Sequence, residues 1–286
     1  MSPEEVVARE RRFARPVMFV AFAAIVAFIA AIAVNQGGTL ADADTDAQFL
    51  AEFADNSGNQ LLGAVLQALG FVFAIAPIFY LFQAAAARSD TVRSALVGIT
   101  VAGPLFLAIG AVLQWYAFDQ AASEFSRTGE GLGVPVGEYA EDLIQDQATF
   151  DAAQGFTFAG TLGLIVAIVY TSLHAMRTGL LTRFWGSLGM ALGVSVLFLG
   201  FVGILVFVLA LGMLIGGLWI GDRPAAWDAG KAVPWPSAGG RAPPDDEAEG
   251  GTAAAESANP LEPAAGSDQS PEGPAQTPPR KRKRRR

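Results

Sequence analysis

Residues 184–220 read FWGSLGMALGVSVLFLGFVGILVFVLALGMLIGGLWI, 37 positions without one ionisable side chain. As one helix rising 1.5 Å per residue they would extend about 55 Å, nearly twice the roughly 30 Å hydrocarbon core of a bilayer. Two short spans fit the same residues to a membrane, and glycines at 200 and 203 permit the turn between them. The rival reading is an interfacial helix starting at Phe184 and followed by a single tilted span.

Four further windows of about 20 residues are apolar enough to cross: 16–34, 61–82, 95–118 and 156–176. The last holds one titratable residue, His174, near its end, and none of the four holds Asp, Glu, Lys or Arg. The first carries ten Val, Ile and Phe residues, worth roughly −3 to −6 kcal/mol of insertion energy. It follows four arginines and precedes Ala31-Ile32-Ala33, so it imitates a secretory signal. It reads instead as a retained span, being longer than a signal's apolar core and followed by further spans.

Basic residues decide between the two readings of 184–220, because Lys and Arg stay on the cytoplasmic side. Arg9, Arg11, Arg12 and Arg15 precede the first span, Arg88 and Arg93 join the second to the third, and Arg177 and Arg183 join the fourth to the fifth. The opposite connections, 35–60 and 119–155, carry thirteen acids and a single base, Arg127. A hairpin at 184–200 and 203–221 keeps the ten bases of residues 222–286 inside; a single span would export them. The expectation is an all-α polytopic membrane bundle of six transmembrane helices with both termini cytoplasmic, in the plasma membrane.

Composition narrows the chemistry. With 52% hydrophobic and 16% charged residues and a mean hydropathy of +0.39, the chain is too apolar for a soluble globule. It has no Cys and one His, which removes disulfides, thiolate metal sites and cysteine nucleophiles, and leaves no paired acid and base. No catalytic residue, metal site or cofactor is expected. Asp42, Asp44 and Asp46 imitate the opening of an EF-hand, but Ala47 stands where its glycine belongs and Phe53 where its last glutamate belongs.

Outside the spans, Ser2-Pro3-Glu4-Glu5 is a capping box that starts a cytoplasmic amphipathic helix over residues 1–15, with Pro16 closing it. Thr45 to Gln48 starts another helix in the first outer loop, stopped at Asn56-Ser57-Gly58. Tyr139, Leu143 and Phe150 show helical spacing in the second outer loop. Residues 222–286 contain eleven prolines and almost no aliphatic residues beyond Ala; such a tail is expected to stay disordered. Trp219, Trp227 and Trp235 would hold its first part at the interface.

Several polar residues lie inside the spans. Gln67 and Gln114 fall in the outer half of spans two and three, as glue between the helices or as ligand contacts. Tyr80, Thr100, Tyr170, Thr171, Ser172 and His174 fall in the inner halves, and together would make a small inward-facing polar pocket. Gly189/Gly193, Gly212/Gly216 and Gly217/Gly221 repeat at four-residue spacing, as close helix contacts do within one bundle or between copies. A shift of 90 residues aligns Gly70, Gly103 and Gly110 with Gly160, Gly193 and Gly200, a weak repeat of the kind seen in transporters. The chain's end, Arg280, Lys281, Arg282, Lys283, Arg284, Arg285 and Arg286, is an uninterrupted basic run. Each base near an anionic leaflet contributes about 1 kcal/mol; the same run has the chemistry to meet nucleic acid or ribosome through phosphates, or to pair with the tail's own acids.

At Ile78-Phe79-Tyr80-Leu81-Phe82, the Arg88/Arg93 link, and His174 to Gly186 (HAMRTGLLTRFWG), the chain resembles uncharacterised multi-pass membrane proteins of high-GC bacteria, a domain-of-unknown-function type. The resemblance implies a six-span bundle over about residues 3–235 and no assigned reaction. The functional expectation is therefore a non-enzymatic association or scaffold protein in the lipid bilayer. Its partners would be anionic lipid headgroups, a protein or a second copy. The alternative is a carrier or channel for a small neutral or amphiphilic compound, since spans without charge do not suit ion-coupled transport.

Overall fold

The computed structural model describes residues 2–36, 45–128, 136–200, 202–219 and 223–235, and every regular element among them is a helix. The first, α1 (Pro3–Gln36), opens on the capping box: Ser2 N–H donates to Glu5 Oε2 at 2.8 Å and Glu5 N–H to Ser2 Oγ at 3.3 Å. A separate helix over residues 1–15 is not what forms, because α1 runs through Pro16. Val6, Glu10, Ala21, Ala24, Phe28 and Ala31 are all buried along one stripe, with Ala14 and Val17 partly buried between them. Packing along that stripe outweighs the one helical hydrogen bond that proline forgoes.

Helix α2 (Asp46–Ala86) is capped by Thr45, whose hydroxyl accepts from Gln48 N–H at 3.3 Å. Its 41 residues make a rod of about 61 Å, so the expected stop at Asn56-Ser57-Gly58 does not occur. Asn56 Nδ2 donates back to Glu52 O at 3.1 Å, Ser57 Oγ donates to Asp119 on α3 (Leu96–Thr128), and Trp115 Nε1 donates to Ser57 O at 3.2 Å. Those partners, about sixty residues away in the chain, hold the turn helical. Helix α4 (Val136–Gln145) buries Ala140 and Leu143 against Leu50, Phe53, Ala121 and Ala122. The beginnings of α2 and the end of α3 thus project together and share a second small core with α4.

The remaining helices are α5 (Ala148–Arg177), α6 (Arg183–Leu199), α7 (Val202–Gly216) and the single turn α8 (Ala226–Ala229). Six of the eight helices among the described residues pack as a closed ring in the order α1, α2, α3, α5, α6, α7 and back to α1, with α2 also touching α5 and α7. Helix α5 ends in a Schellman motif: Gly179 has φ +78°, Leu180 N–H donates to Ala175 O at 2.8 Å and Gly179 N–H to Met176 O at 3.2 Å. Thr182 then caps α6, accepting from Trp185 N–H at 3.2 Å. The chain turns back at Gly200, φ +56°, where an L side chain would be strained.

Helices α1, α2, α3 and α5 are each long and apolar enough to cross a membrane; α6 and α7 are apolar but shorter, at 17 and 15 residues. A girdle of exposed apolar side chains runs round the ring, including Phe19, Val72, Leu105, Phe158, Phe198 and Val206. Exposed apolar area of that extent is the surface of a protein solvated by lipid.

Glycines set the closest helix approaches. A Cβ on Gly103 would lie 2.6 Å from Leu164 N, and one on Gly160 would lie 2.7 Å from Leu107 N, so α3 and α5 touch backbone to backbone. Gly189 and Gly193 face Ser172 and Ile168 of α5, and Gly212 and Gly216 face Ala21 and Met18 of α1. Those two pairs therefore serve contacts within the bundle. Gly217, φ +73°, ends α7, and Gly221 lies outside the described residues. In the 90-residue alignment, Gly110 packs on Thr157 inside α3 whereas Gly200 breaks the chain, so the aligned glycines have different tasks.

Candidate functional site

The two ends of the ring differ in charge. Arg9, Arg11, Arg12, Arg15, Arg88, Arg93, Arg177 and Arg183 sit where α1 begins, α2 and α5 end and α3 and α6 begin; Asp46, Glu52, Asp55, Asp119, Glu124 and the acids of α4 sit at the other. These are the basic and the acidic end.

At the basic end Glu10 lies on the buried stripe of α1, one turn after Val6. Arg88, just past the end of α2, meets it with both terminal nitrogens, Nη1 to Oε1 and Nη2 to Oε2, the latter at 2.9 Å. Arg88 Nη1 also donates to Ala84 O at 2.9 Å, and its Nε donates to Ala226 O at 3.1 Å. The Tyr80 hydroxyl donates to Glu10 O at 2.9 Å. All of this is buried, and a charge pair removed from water needs such extra hydrogen bonds to hold. Sequence reading took Arg88 as a topology charge and passed over Glu10. The helical phase set by Val6, Val17, Ala21 and Ala24 places Glu10 inward, and that signal was available.

Residues 223–235, assigned to the tail by sequence, fold onto this end as a strap. Trp227 is 2% exposed, stacks on Tyr80 with ring centroids 6.1 Å apart, and donates from Nε1 to Leu180 O at 3.0 Å. Val233 N–H donates to Thr178 O at 3.1 Å and Trp235 Nε1 to Leu181 O at 2.9 Å. Gly230, φ +62°, lies against the carbonyl of Pro3, and Asp228 is 3.6 Å from Arg11. Trp227 is therefore a core residue rather than an interface anchor. Beside it a cleft of about 340 Å³ opens between α1 and α2, walled by Phe13, Val17, Phe79 and Tyr80 with Arg9 and Gln83 at its edge.

The polar residues expected to share an inner pocket are dispersed. Tyr80 belongs to the Glu10 cluster. Thr100 Oγ1 donates to Leu96 O in its own helix at 2.9 Å. The Tyr170 hydroxyl accepts from Arg93 N–H at 3.0 Å, and its ring lies 4.2 Å from that of His174 one turn on. Thr171 Oγ1, Ser172 Oγ and His174 Nδ1 are buried without hydrogen-bond partners. Ser172 is turned towards Gly189 of α6, and none of the cavities described here is lined by these three residues. No group of three or more His, Asp or Glu side chains gathers to hold a metal ion among the described residues.

Gln67 and Gln114 do come together, but not as a hydrogen-bonded pair. They line two adjoining cavities towards the acidic end, of about 270 Å³ and 160 Å³, and Ala111 is the other residue common to both. The larger is walled by Phe49, Phe53, Trp115 and Phe118, the smaller by Thr157, Thr161 and the α6–α7 turn at Gly200. The run Arg280 to Arg286 and the acids Asp42 and Asp44 lie outside the described residues.

No family model matches the chain, and neither a curated protein nor a solved structure shows significant similarity to it.

Proposed function

We propose that this is a non-enzymatic membrane protein that acts by association, in the manner of the multi-pass family its sequence resembles. It crosses the bilayer six times with both termini cytoplasmic. It presents its basic end, and the polybasic run 280–286, to anionic headgroups. The observation that carries this reading is the contact of Gly230 with Pro3 and of Asp228 with Arg11. These contacts put the start of α1 and the chain beyond α7 at the same end, which is also the arginine end. Exposed Arg11, Arg12 and Arg15 stand on the first turns of α1 beside the apolar girdle, the height at which basic side chains meet phosphates. Glu10 is consumed by Arg88 and offsets none of the three, while Asp228 at 3.6 Å offsets Arg11 alone.

Association is tested with the full chain in phosphatidylcholine nanodiscs, measuring capture of phosphatidylglycerol vesicles. Deleting residues 280–286 is expected to weaken capture at least ten-fold at low salt, since several bases at about 1 kcal/mol each are removed. Capture by the intact chain is expected to fall as salt rises. Unchanged capture on deletion would remove the lipid reading. The second reading, handling of a small neutral compound, draws on the cavities at Gln67 and Gln114.

A further inference from the structure

The ring has six helices at its basic end and fewer at its acidic end. Helices α6 and α7 have 17 and 15 residues, against 34 and 30 in neighbouring α1 and α5. Their hairpin therefore stops short, and its tip, Val196, Gly200 and Ile204, floors the smaller of the two cavities. A Cβ on Gly200 would meet nothing within 4 Å. The taller α1, α2, α3 and α5 continue past that tip and enclose the space above it. A missing stretch of packing thus makes the cavity, in line with the helix lengths.

The polar part of the lining is uncharged. Asn35, Gln60, Gln67, Gln114, Thr157 and Thr161 contribute amides and hydroxyls, and among the described residues no Asp, Glu, Lys or Arg lines either chamber. Two of the polar atoms are buried and have no partner: Asn35 Oδ1, an acceptor, and Gln60 Nε2, a donor. Buried groups of that kind are destabilising unless something satisfies them. Gly63 is open to the Asn35 amide, since any side chain there would collide with it. The opposite wall is aromatic. Phe49, Phe53 and Phe118 pack on one another at 5.1 to 5.9 Å, and Trp115 has spent its N–H on Ser57 O, so these rings offer apolar surface.

We propose that the space above the α6–α7 turn is a binding site for a small uncharged amphiphile that carries both a hydrogen-bond donor and an acceptor. The Gln67 and Gln114 amides, which line both chambers, supply the ligand's donor and acceptor contacts, with Asn35 and Gln60 at the wall of the larger one, and its apolar part lies on the phenylalanines. An ion is disfavoured because no countercharge among the described residues lines the chambers. The larger chamber is slightly smaller than the roughly 300–1,000 Å³ of drug-sized pockets, which limits the occupant to metabolite size. This proposal rests on the acidic end alone and stands or falls separately from lipid capture at the basic end.

The test uses the full chain in nanodiscs and a photoreactive diazirine analogue of octanamide, with labelled peptides mapped by mass spectrometry. Labelling is expected to saturate, to fall within residues 49–67 and 111–118, and to be competed at least ten-fold better by octanamide than by octanoate. Gln67→Leu with Gln114→Leu is expected to weaken it roughly ten-fold or more, about one lost hydrogen bond per amide, while Gln83→Leu at the basic end leaves labelling there unchanged. Should the double variant not fold, Ala111→Phe, which fills the wall common to both chambers, is expected to abolish labelling. Labelling that rises linearly and spreads to lipid-facing Val72 and Leu105, equal competition by octanoate, or the same labelling in the Gln67/Gln114 and Ala111 variants would overturn the proposal. So would chambers that hold water only, seen as no saturable labelling.

Discussion

Glu10 and Arg88, 78 residues apart in the chain, face each other through both carboxylate oxygens and both terminal guanidinium nitrogens, with side chains 6% and 0% exposed. This pair fastens the beginning of α1 to the end of α2, and through Arg88 Nε it also holds Ala226 of the strap. Removing one member leaves a buried charge without its partner. Glu10→Gln or Arg88→Met is therefore predicted to lower stability by about 3–5 kcal/mol, and Glu10→Met with Arg88→Leu to recover most of that loss. Thermal unfolding in detergent reads all three; a double variant as unstable as the singles would show that the pair does more than neutralise itself.

Where α3 meets α5, no side chain fits. Gly103→Leu and Gly160→Leu are predicted to abolish stable folding, because each would drive a side chain into backbone atoms at 2.6 and 2.7 Å. Gly58 and Gly98 meet nothing within 4 Å, and Gly58→Ala in the interior of α2 is predicted to stabilise by about 0.5–1 kcal/mol. Unfolding temperatures of the variants check the contrast.

Trp227 is the strap's anchor. It lies under Arg223, whose guanidinium carbon is 4.7 Å from the indole centroid, and over Tyr80. Trp227→Ala is predicted to cost about 3–5 kcal/mol of local stability and to open Lys231 to trypsin at least ten-fold faster than in the parent protein. Equal cleavage rates would show that the remaining contacts, Val233 on Thr178 and Trp235 on Leu181, suffice.

The spans were legible because absence of charge over about 20 residues is a local property, and the helices through 16–34, 61–82, 95–118 and 156–176 follow it. The turn at Gly200 was legible from length and glycine content. What the chain does across long separations was not. Asn56-Ser57-Gly58 has every local mark of a helix end, and Asp119 and Trp115 override it. Trp227 sits in a proline-rich, tail-like context, yet finds Tyr80 and Leu180. Gln67 and Gln114 were visible as rare amides in apolar surroundings. The short hairpin that opens a space beside them is a consequence of how six helices of unequal length close a ring. Thr100, Tyr170 and His174 were expected at the same depth as Tyr80 but do not join its cluster, and depth is all that counting along the chain provides.

A six-span bundle with both termini inside would meet different compartments at its two ends. The chain has no cysteine, so single cysteines can be placed at Ser2, Ser94, Ser126 and Ser267 and exposed to a membrane-impermeant maleimide on intact cells. Labelling at Ser126 alone, with the other three reacting only after permeabilisation, is the result predicted. Labelling of Ser2 and Ser267 from opposite sides would contradict it.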